Sequence, residues 1–197
     1  MRVASPARDD LFATPMLRLL EDAQGGARYW PELVDPDTAR RWFDDLVAKA
    51  DWQRLRRPMY DKVVDVPRLL SQYRVDDLPG ELPLAEMLAR VQERVPEPFN
   101  AIGMNFYRDG RDSVAMHGDK LHQLREGHPI ALVSLGASRR MLIRARTGGR
   151  ERIAIELAPG SLLCMSHAMQ SIHEHGIPKT RHAEPRISVV FRVRPGG

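Results

Sequence analysis

Cysteine is almost missing from this chain of 197 residues: Cys164 stands alone. A disulfide within the chain and a thiolate metal cluster are therefore both excluded. Usage this low fits a reducing compartment, and a cytoplasmic location is expected. Cys164 lies in an apolar run and is expected to serve as a small buried hydrophobe. No apolar stretch approaches the roughly 18 residues of a membrane span, so no membrane partner is expected. Residues 1–10 lack an apolar segment before a small-residue cleavage site, so no signal peptide is expected. Internal repeats and low-complexity tracts are also missing. Lysine is scarce, found only at Lys49, Lys62, Lys120 and Lys179, so most basic residues are arginines. Arginine suits bidentate grips on carboxylate and phosphate. The balance of 30 basic against 26 acidic residues permits a polyanionic partner without requiring one.

What is present divides near residue 100. In the first part, Asp35-Pro36 reads as an N-cap followed by proline at the first helical position. Trp42, Phe43, Leu46 and Val47 then recur at helical spacing. Leu84, Met87, Leu88 and Val91 predict a second helix over 84–95, stopped by Pro96 and Pro98. Residues 68–83 are polar and read as a connecting loop or irregular hairpin. After residue 100, short apolar or alternating runs are separated by turn signals such as Asp109-Gly110, Gly148-Gly149 and Pro159-Gly160. Strands are predicted at 101–108, 113–117, 130–135, 141–146, 152–157, 161–165, 169–176 and 186–193. Short strands at this spacing predict a sandwich, jelly roll or barrel.

His117 and Asp119 are two residues apart, and on an extended chain such positions face one side. An imidazole and a carboxylate can then converge on one metal ion. A downstream histidine would complete a set of two histidines and one carboxylate, the facial triad of non-haem Fe(II) oxygenases. His173 and His175 share a face, so spacing alone leaves the choice between them open. On the last strand, Arg186, Ser188 and Arg192 stand at even spacing and share a face. Two arginines on the inner face of a β-structure are costly unless anions meet them, and a dicarboxylate would do so with bidentate geometry.

These residues carry a family resemblance. Phe99-Asn100, Asn105, Tyr107, Asp109-Gly110, Asp112-Ser113 and His117-x-Asp119 resemble the signature of the AlkB family of Fe(II)- and 2-oxoglutarate-dependent dioxygenases. Ser134-Leu135-Gly136, Pro159-Gly160-Ser161, His175-Gly176-Ile177-Pro178 and Pro185-Arg186 through Phe191-Arg192 follow in the family's order. Pro67-Arg68 and Tyr73 resemble its upstream element. The similarity covers residues 67–192.

The resemblance implies a mainly β (α+β) fold: a double-stranded β-helix, or jelly roll, over 100–197. Residues 1–99 would form an N-terminal helical/α+β extension that is packed on this core and acts as a substrate lid, in a single structural domain overall. It implies Fe(II) held by His117, Asp119 and His175, with 2-oxoglutarate and O2 as co-substrates. Asn105, Tyr107, Arg186, Ser188 and Arg192 would bind 2-oxoglutarate or orient its surroundings. The implied reaction is oxidative demethylation of bases in single-stranded nucleic acid, DNA ahead of RNA, by a monomer. A protein side chain or a small molecule is the alternative substrate, and a non-catalytic jelly-roll module is a third reading. Arg68, Tyr73 and His173 are candidate substrate contacts, with Tyr60 and Trp52 as further stacking partners. Arg54, Arg56, Arg57, Arg68, Arg139 and Arg140 are candidates for a phosphate-tracking surface. The chain departs from the family's usual pattern at Lys120-Leu121, where acidic residues are common, at Ser188, where asparagine is usual, and in a shortened lid.

Overall fold

The computed structural model describes residues 15–59, 62–147 and 152–196. Two antiparallel sheets face each other. The strands are β1 (Leu17–Leu20), β2 (Ala27–Trp30), β3 (Gln53–Met59), β4 (Lys62–Arg74), β5 (Ala101–Tyr107), β6 (Val114–His117), β7 (Ile130–Gly136), β8 (Arg139–Ala145), β9 (Arg152–Leu157), β10 (Ser161–Met165), β11 (His173–Ile177) and β12 (Arg186–Arg192). The larger sheet runs β1-β2-β10-β7-β12-β5-β4-β3, and the smaller runs β6-β11-β8-β9. This is the expected jelly roll.

The major sheet is covered on both faces, which explains its near-continuous apolar strands. On one face lie α1 (Pro36–Lys49) and α2 (Leu84–Arg94). Asp35 caps α1 by accepting from the backbone N–H groups of Asp37 and Thr38 at 3.0 and 2.9 Å. Trp42, Leu46, Leu84, Met87 and Val91 pack there against Ile187, Val189 and Phe191 of β12 and against Cys164. On the other face, Tyr107, Leu132, Leu163 and Val190 meet Met141, Ile143 and Ile177 of the smaller sheet. The alternation in β12 thus sends its odd-numbered side chains to the helices. Arg186, Ser188, Val190 and Arg192 project between the sheets.

Three local expectations change. Residues 68–74 are not a loop but the end of the 13-residue β4. Leu69, Ser71 and Tyr73 oppose Phe106, Met104 and Ile102 of β5, so the polar composition conceals an ordinary alternation. Residue 100 is no break in the sheet, because β4 from the first part pairs with β5 from the second. Finally, residues 169–172 form a helical turn, α3 (Met169–Ile172), before β11 begins. The Ser166 hydroxyl accepts from the Met169 N–H at 3.0 Å and starts that turn. Tyr60 and the Gly148-Gly149 turn lie outside the described residues, as does the side chain of Arg57.

Candidate active site

His117 ends β6, the outer strand of the smaller sheet, and lies directly opposite His175 in the β6–β11 register. Their rings are 4.6 Å apart. Asp119 follows after one glycine, and its Oδ1 is 3.7 Å from His117 Nε2 and 4.0 Å from His175 Nε2. One ligand atom from each of the three residues lies within 4.8 Å of the others. His117 Nδ1 is 2.9 Å from the Ala115 carbonyl. Donation there leaves Nε2 as the free lone pair facing Asp119. Register therefore resolves the choice between the two downstream histidines: His175 joins the cluster, and His173 does not line its cavity.

Two glycines allow close approaches around the cluster, Gly118 to α3 and Gly176 to β6. A Cβ at Gly118 would stand 2.4 Å from the Gln170 carbonyl oxygen. A Cβ at Gly176 would stand 2.9 Å from the Val114 carbonyl oxygen. Both fall inside van der Waals contact, so a side chain at Gly118 would push the turn before Asp119 off α3, and one at Gly176 would push β11 off β6.

Electrostatics prepare the cluster for a cation. Burial works to raise the Asp119 carboxyl, but Arg192 and the two imidazoles outweigh it and hold the group ionised below the usual carboxylate range. Arg192 Nε donates to Asp119 Oδ2 at 2.7 Å, leaving Oδ1 toward the histidines. Burial, reinforced by the neighbouring His117, pushes the His175 imidazole down, so it is neutral as a metal ligand must be.

The cavity beside the cluster measures about 110 Å³ and is lined by Asn105, Tyr107, Arg186 and Ser188. Arg186 is wholly buried. Its Nε donates to the Ser134 hydroxyl at 3.1 Å, while Nη1 and Nη2 have no hydrogen-bond partner among the described residues. Burial of that guanidinium depresses its proton affinity, a cost an anion would relieve. The Tyr107 ring lies 5.1 Å from the Arg186 guanidinium carbon. Asn105 Nδ2 reaches the Ser188 hydroxyl at 3.4 Å, and its Oδ1 accepts from Arg68 Nε at 2.6 Å. A metal-ligand set at one end and an unmet buried guanidinium at the other fit Fe(II) together with a dicarboxylate.

Of the substrate candidates, Arg68 lines both this cavity and the larger groove of about 820 Å³ outside it. Tyr73 is on the helix face of β4, where its hydroxyl accepts from the Asp51 N–H at 3.2 Å. Trp52 packs 5.2 Å from Phe106 and donates to the Leu46 carbonyl at 2.9 Å. Neither lines the groove. The arginine surface also needs correction. Arg139 is buried and donates to the carbonyls of Asp109, Asp112 and Pro178 at 3.2, 3.1 and 2.8 Å, because three convergent carbonyls solvate its guanidinium better than the surface position expected from residue type. Arg140 pairs with Glu156 at 2.7 Å and Arg56 with Asp65 at 3.3 Å. Arg54 is exposed.

One residue escaped the sequence reading. Gln170 is 1% exposed, and its Oε1 accepts from the Asp119 N–H at 3.2 Å while its Nε2 donates to the Ser166 carbonyl at 3.3 Å. It holds the backbone of Asp119. A glutamine 51 positions away gives no periodic signal of that task.

The profile of the 2OG-Fe(II) oxygenase superfamily matches residues 26–192, so the chain belongs to that superfamily. Fe(II), 2-oxoglutarate and O2 are accordingly the metal and co-substrates that the site serves. Among curated relatives, the mouse (Mus musculus) alpha-ketoglutarate-dependent dioxygenase alkB homolog 3 is 30% identical over 190 residues, covering 83% of this chain and 64% of its own length. The bovine (Bos taurus) DNA oxidative demethylase ALKBH2 is 34% identical over 122 residues, covering 56% of this chain and 44% of its own. Within the superfamily, the chain is similar to these alkB-type relatives. It spans less than two thirds of the length of these relatives. Among solved structures, that of OsALKBH1 superposes with a TM-score of 0.64 at 14% identity, over 90% of this chain and 99% of that one. A 2OG-Fe(II) oxygenase family oxidoreductase from Burkholderia pseudomallei gives 0.59 at 16% identity, over 85% and 84%. Both agree in fold.

Proposed function

We propose that the protein is an Fe(II)- and 2-oxoglutarate-dependent demethylase of N-alkylated bases, of the 1-methyladenine and 3-methylcytosine type, in single-stranded DNA or RNA, with DNA the favoured substrate. The observation that carries this reading is the wholly buried, half-unpaired Arg186 facing the same cavity as His117, Asp119 and His175. The names of the relatives, a dioxygenase and a DNA oxidative demethylase, support the substrate class. His117, Asp119 and His175 would hold the metal. Arg186 would take the distal carboxylate of 2-oxoglutarate through its two free Nη groups, with Tyr107, Asn105 and Ser188 beside it. Arg192 keeps Asp119 ionised and turned toward the metal side. Arg68, which bonds to Asn105, stands where the cavity opens to the groove, and the β3–β4 hairpin would serve as the lid.

With iron bound, 2-oxoglutarate and O2 supply hydroxylation of a C–H bond, the co-substrate leaving as succinate and CO2. On an N-methyl group the product is an N-hydroxymethyl base, which releases formaldehyde and leaves N–H. Because the methyl group sits on the pairing edge, the base must be unpaired or extruded to reach the cavity.

The test gives the Fe(II)-loaded protein 2-oxoglutarate, O2 and a short oligonucleotide carrying 1-methyladenine or 3-methylcytosine, read by mass spectrometry. Methyl loss with matching succinate and formaldehyde is expected, and His117→Ala or Asp119→Ala should abolish it. Succinate without methyl loss would refute the base assignment and move the same chemistry to a protein side chain or small molecule.

A further inference from the structure

The groove outside the iron cavity holds cations that no part of the site uses. Lys120, Lys179 and Arg194 all line it, and all are exposed. Among the described residues, no carboxylate pairs with any of these three side chains, whereas Arg56, Arg140 and Arg144 elsewhere on the surface each have one. The only acidic residues lining the groove are Asp65 and Asp119, and both already face arginines, Arg56 and Arg192.

The fold sets these cations at opposite ends. Lys120 follows Asp119, whose carboxylate is bound to Arg192, and Arg194 lies two residues beyond Arg192. Arg192 in turn opposes Ala101 at the start of β5, and its Nη1 is the atom a Cβ on Gly103 would approach to 3.1 Å. Lys120 and Arg194 therefore belong to the end where β5 begins. Lys179 belongs to the end where β5 finishes. The Pro178 carbonyl before it takes Arg139 Nη2 at 2.8 Å, and that guanidinium lies 5.8 Å from the Tyr107 ring. The Thr180 N–H after it donates to the Gly110 carbonyl at 2.9 Å. His117 and Asp119 line the same groove and open into the cavity.

We propose that Lys120 and Arg194 at one end of the groove, and Lys179 at the other, form a phosphate clamp that lays a single nucleic acid strand along β5 with its target base over the iron cavity. This rests on the proposed demethylase reading and assigns that substrate's backbone contacts. Unpaired cations at both ends of a groove fit a repeating anion better than a small substrate. A strand fixed on each side of one nucleotide also presents that nucleotide to the opening without any sequence being read. The clamp replaces the arginine surface expected from the sequence, whose members are mostly paired or buried.

Salt dependence reads the clamp directly. For single strands, the slope of log K against log salt is about −0.7 per neutralised phosphate, so three lost contacts remove about 2 from it. The protein, loaded with Mn(II) and 2-oxoglutarate, is titrated with a fluorescent single-stranded oligonucleotide carrying one 3-methylcytosine between about 50 and 200 mM NaCl. Deoxy and ribo backbones are both used, because the clamp contacts phosphate and not sugar. The Lys120→Gln/Lys179→Gln/Arg194→Gln variant is expected to lose about 2 from the slope and to bind at least tenfold more weakly at the lower salt. Its thermal midpoint should be nearly unchanged, since among the described residues the three side chains make no hydrogen bond or ion pair. A charge-conserving Lys120→Arg/Lys179→Arg/Arg194→Lys variant should retain the slope. An unaltered slope in the glutamine variant, with wild type still binding and demethylating, overturns the clamp and leaves the proposed function standing. An oligonucleotide that wild type neither binds nor demethylates overturns both.

Discussion

Replacing Arg186 by methionine should move two observables in opposite directions. The guanidinium is wholly buried, with one hydrogen bond to Ser134 and no hydrogen-bond partner for Nη1 and Nη2 among the described residues. Exchanging this buried charge, met only by the Ser134 hydroxyl and the Tyr107 ring among the described residues, for an apolar chain of similar length should stabilise the protein by the order of 1–4 kcal/mol. For a chain of this size each kcal/mol is worth about 2–4 °C, so the thermal midpoint should rise by several degrees. The affinity for 2-oxoglutarate should fall. Hydrogen bonds to charged groups contribute about 1.5–3 kcal/mol each, and loss of the bidentate grip should cost about 3 kcal/mol, or roughly 100-fold in Kd. Thermal unfolding with Mn(II) and increasing 2-oxoglutarate measures both effects: wild type should climb with ligand concentration and the variant should start higher and stay flat. Arg186→Lys, which keeps the charge but not the fork, should fall between them. A variant that starts lower than wild type, or that climbs equally with 2-oxoglutarate, would show that Arg186 is a structural residue and not the anion's partner.

Other outcomes follow from the same geometry. Gln170→Leu should leave the Asp119 N–H unpaired and weaken Mn(II) binding about 10- to 100-fold by calorimetry, and Gln170→Asn should recover part of it. Gly118→Ala, with its Cβ driven against the Gln170 carbonyl, should cost metal affinity and lower the thermal midpoint together. Asp112 accepts from the backbone N–H, Nε and Nη2 of Arg108, and although burial raises its carboxyl, these bonds hold it below its ordinary value of 3.8. Its contribution is therefore fully present above about pH 4 and is lost as pH falls through the lowered value. Asp112→Asn should flatten that acid limb in urea titrations and destabilise the neutral protein by about 1–3 kcal/mol.

Legibility in the sequence tracked how each strand is covered. β7, β10 and β12 are covered on both faces and β5 on most of its length, so apolar runs with turn signals between them mark these strands within a residue or two. β1 to β4 form the two flanks of the major sheet, where one face or one edge meets solvent and composition turns polar. β3 also carries Arg54 and Arg56 around a register shift, and β4 carries Pro67 between Asp65 and Leu69, opposite that shift, so neither presents a clean period of two. At the site, His117 and Asp119 were readable from spacing. The preference for His175 over His173 needed either the family resemblance or the register opposite His117. Gln170 and Arg139 were not readable, because each acts through carbonyl or N–H groups that only the folded backbone brings together.

Among the described residues β6 has a partner on one side only, β11, and it is four residues long. An outer strand this short is among the first segments to open locally. Yet the arm it starts supplies His117 and Asp119 of the three clustered side chains, while His175 sits on the interior strand beside it. A metal ion held by all three would act as a rivet through the rim of the smaller sheet, and its binding energy would be felt as resistance of that rim to fraying. Amide deuterium uptake across 114–119 should therefore slow on metal loading far more than uptake in β7 or β12. The protein's working temperature range would then be set for this arm by metal supply and not by the hydrophobic core.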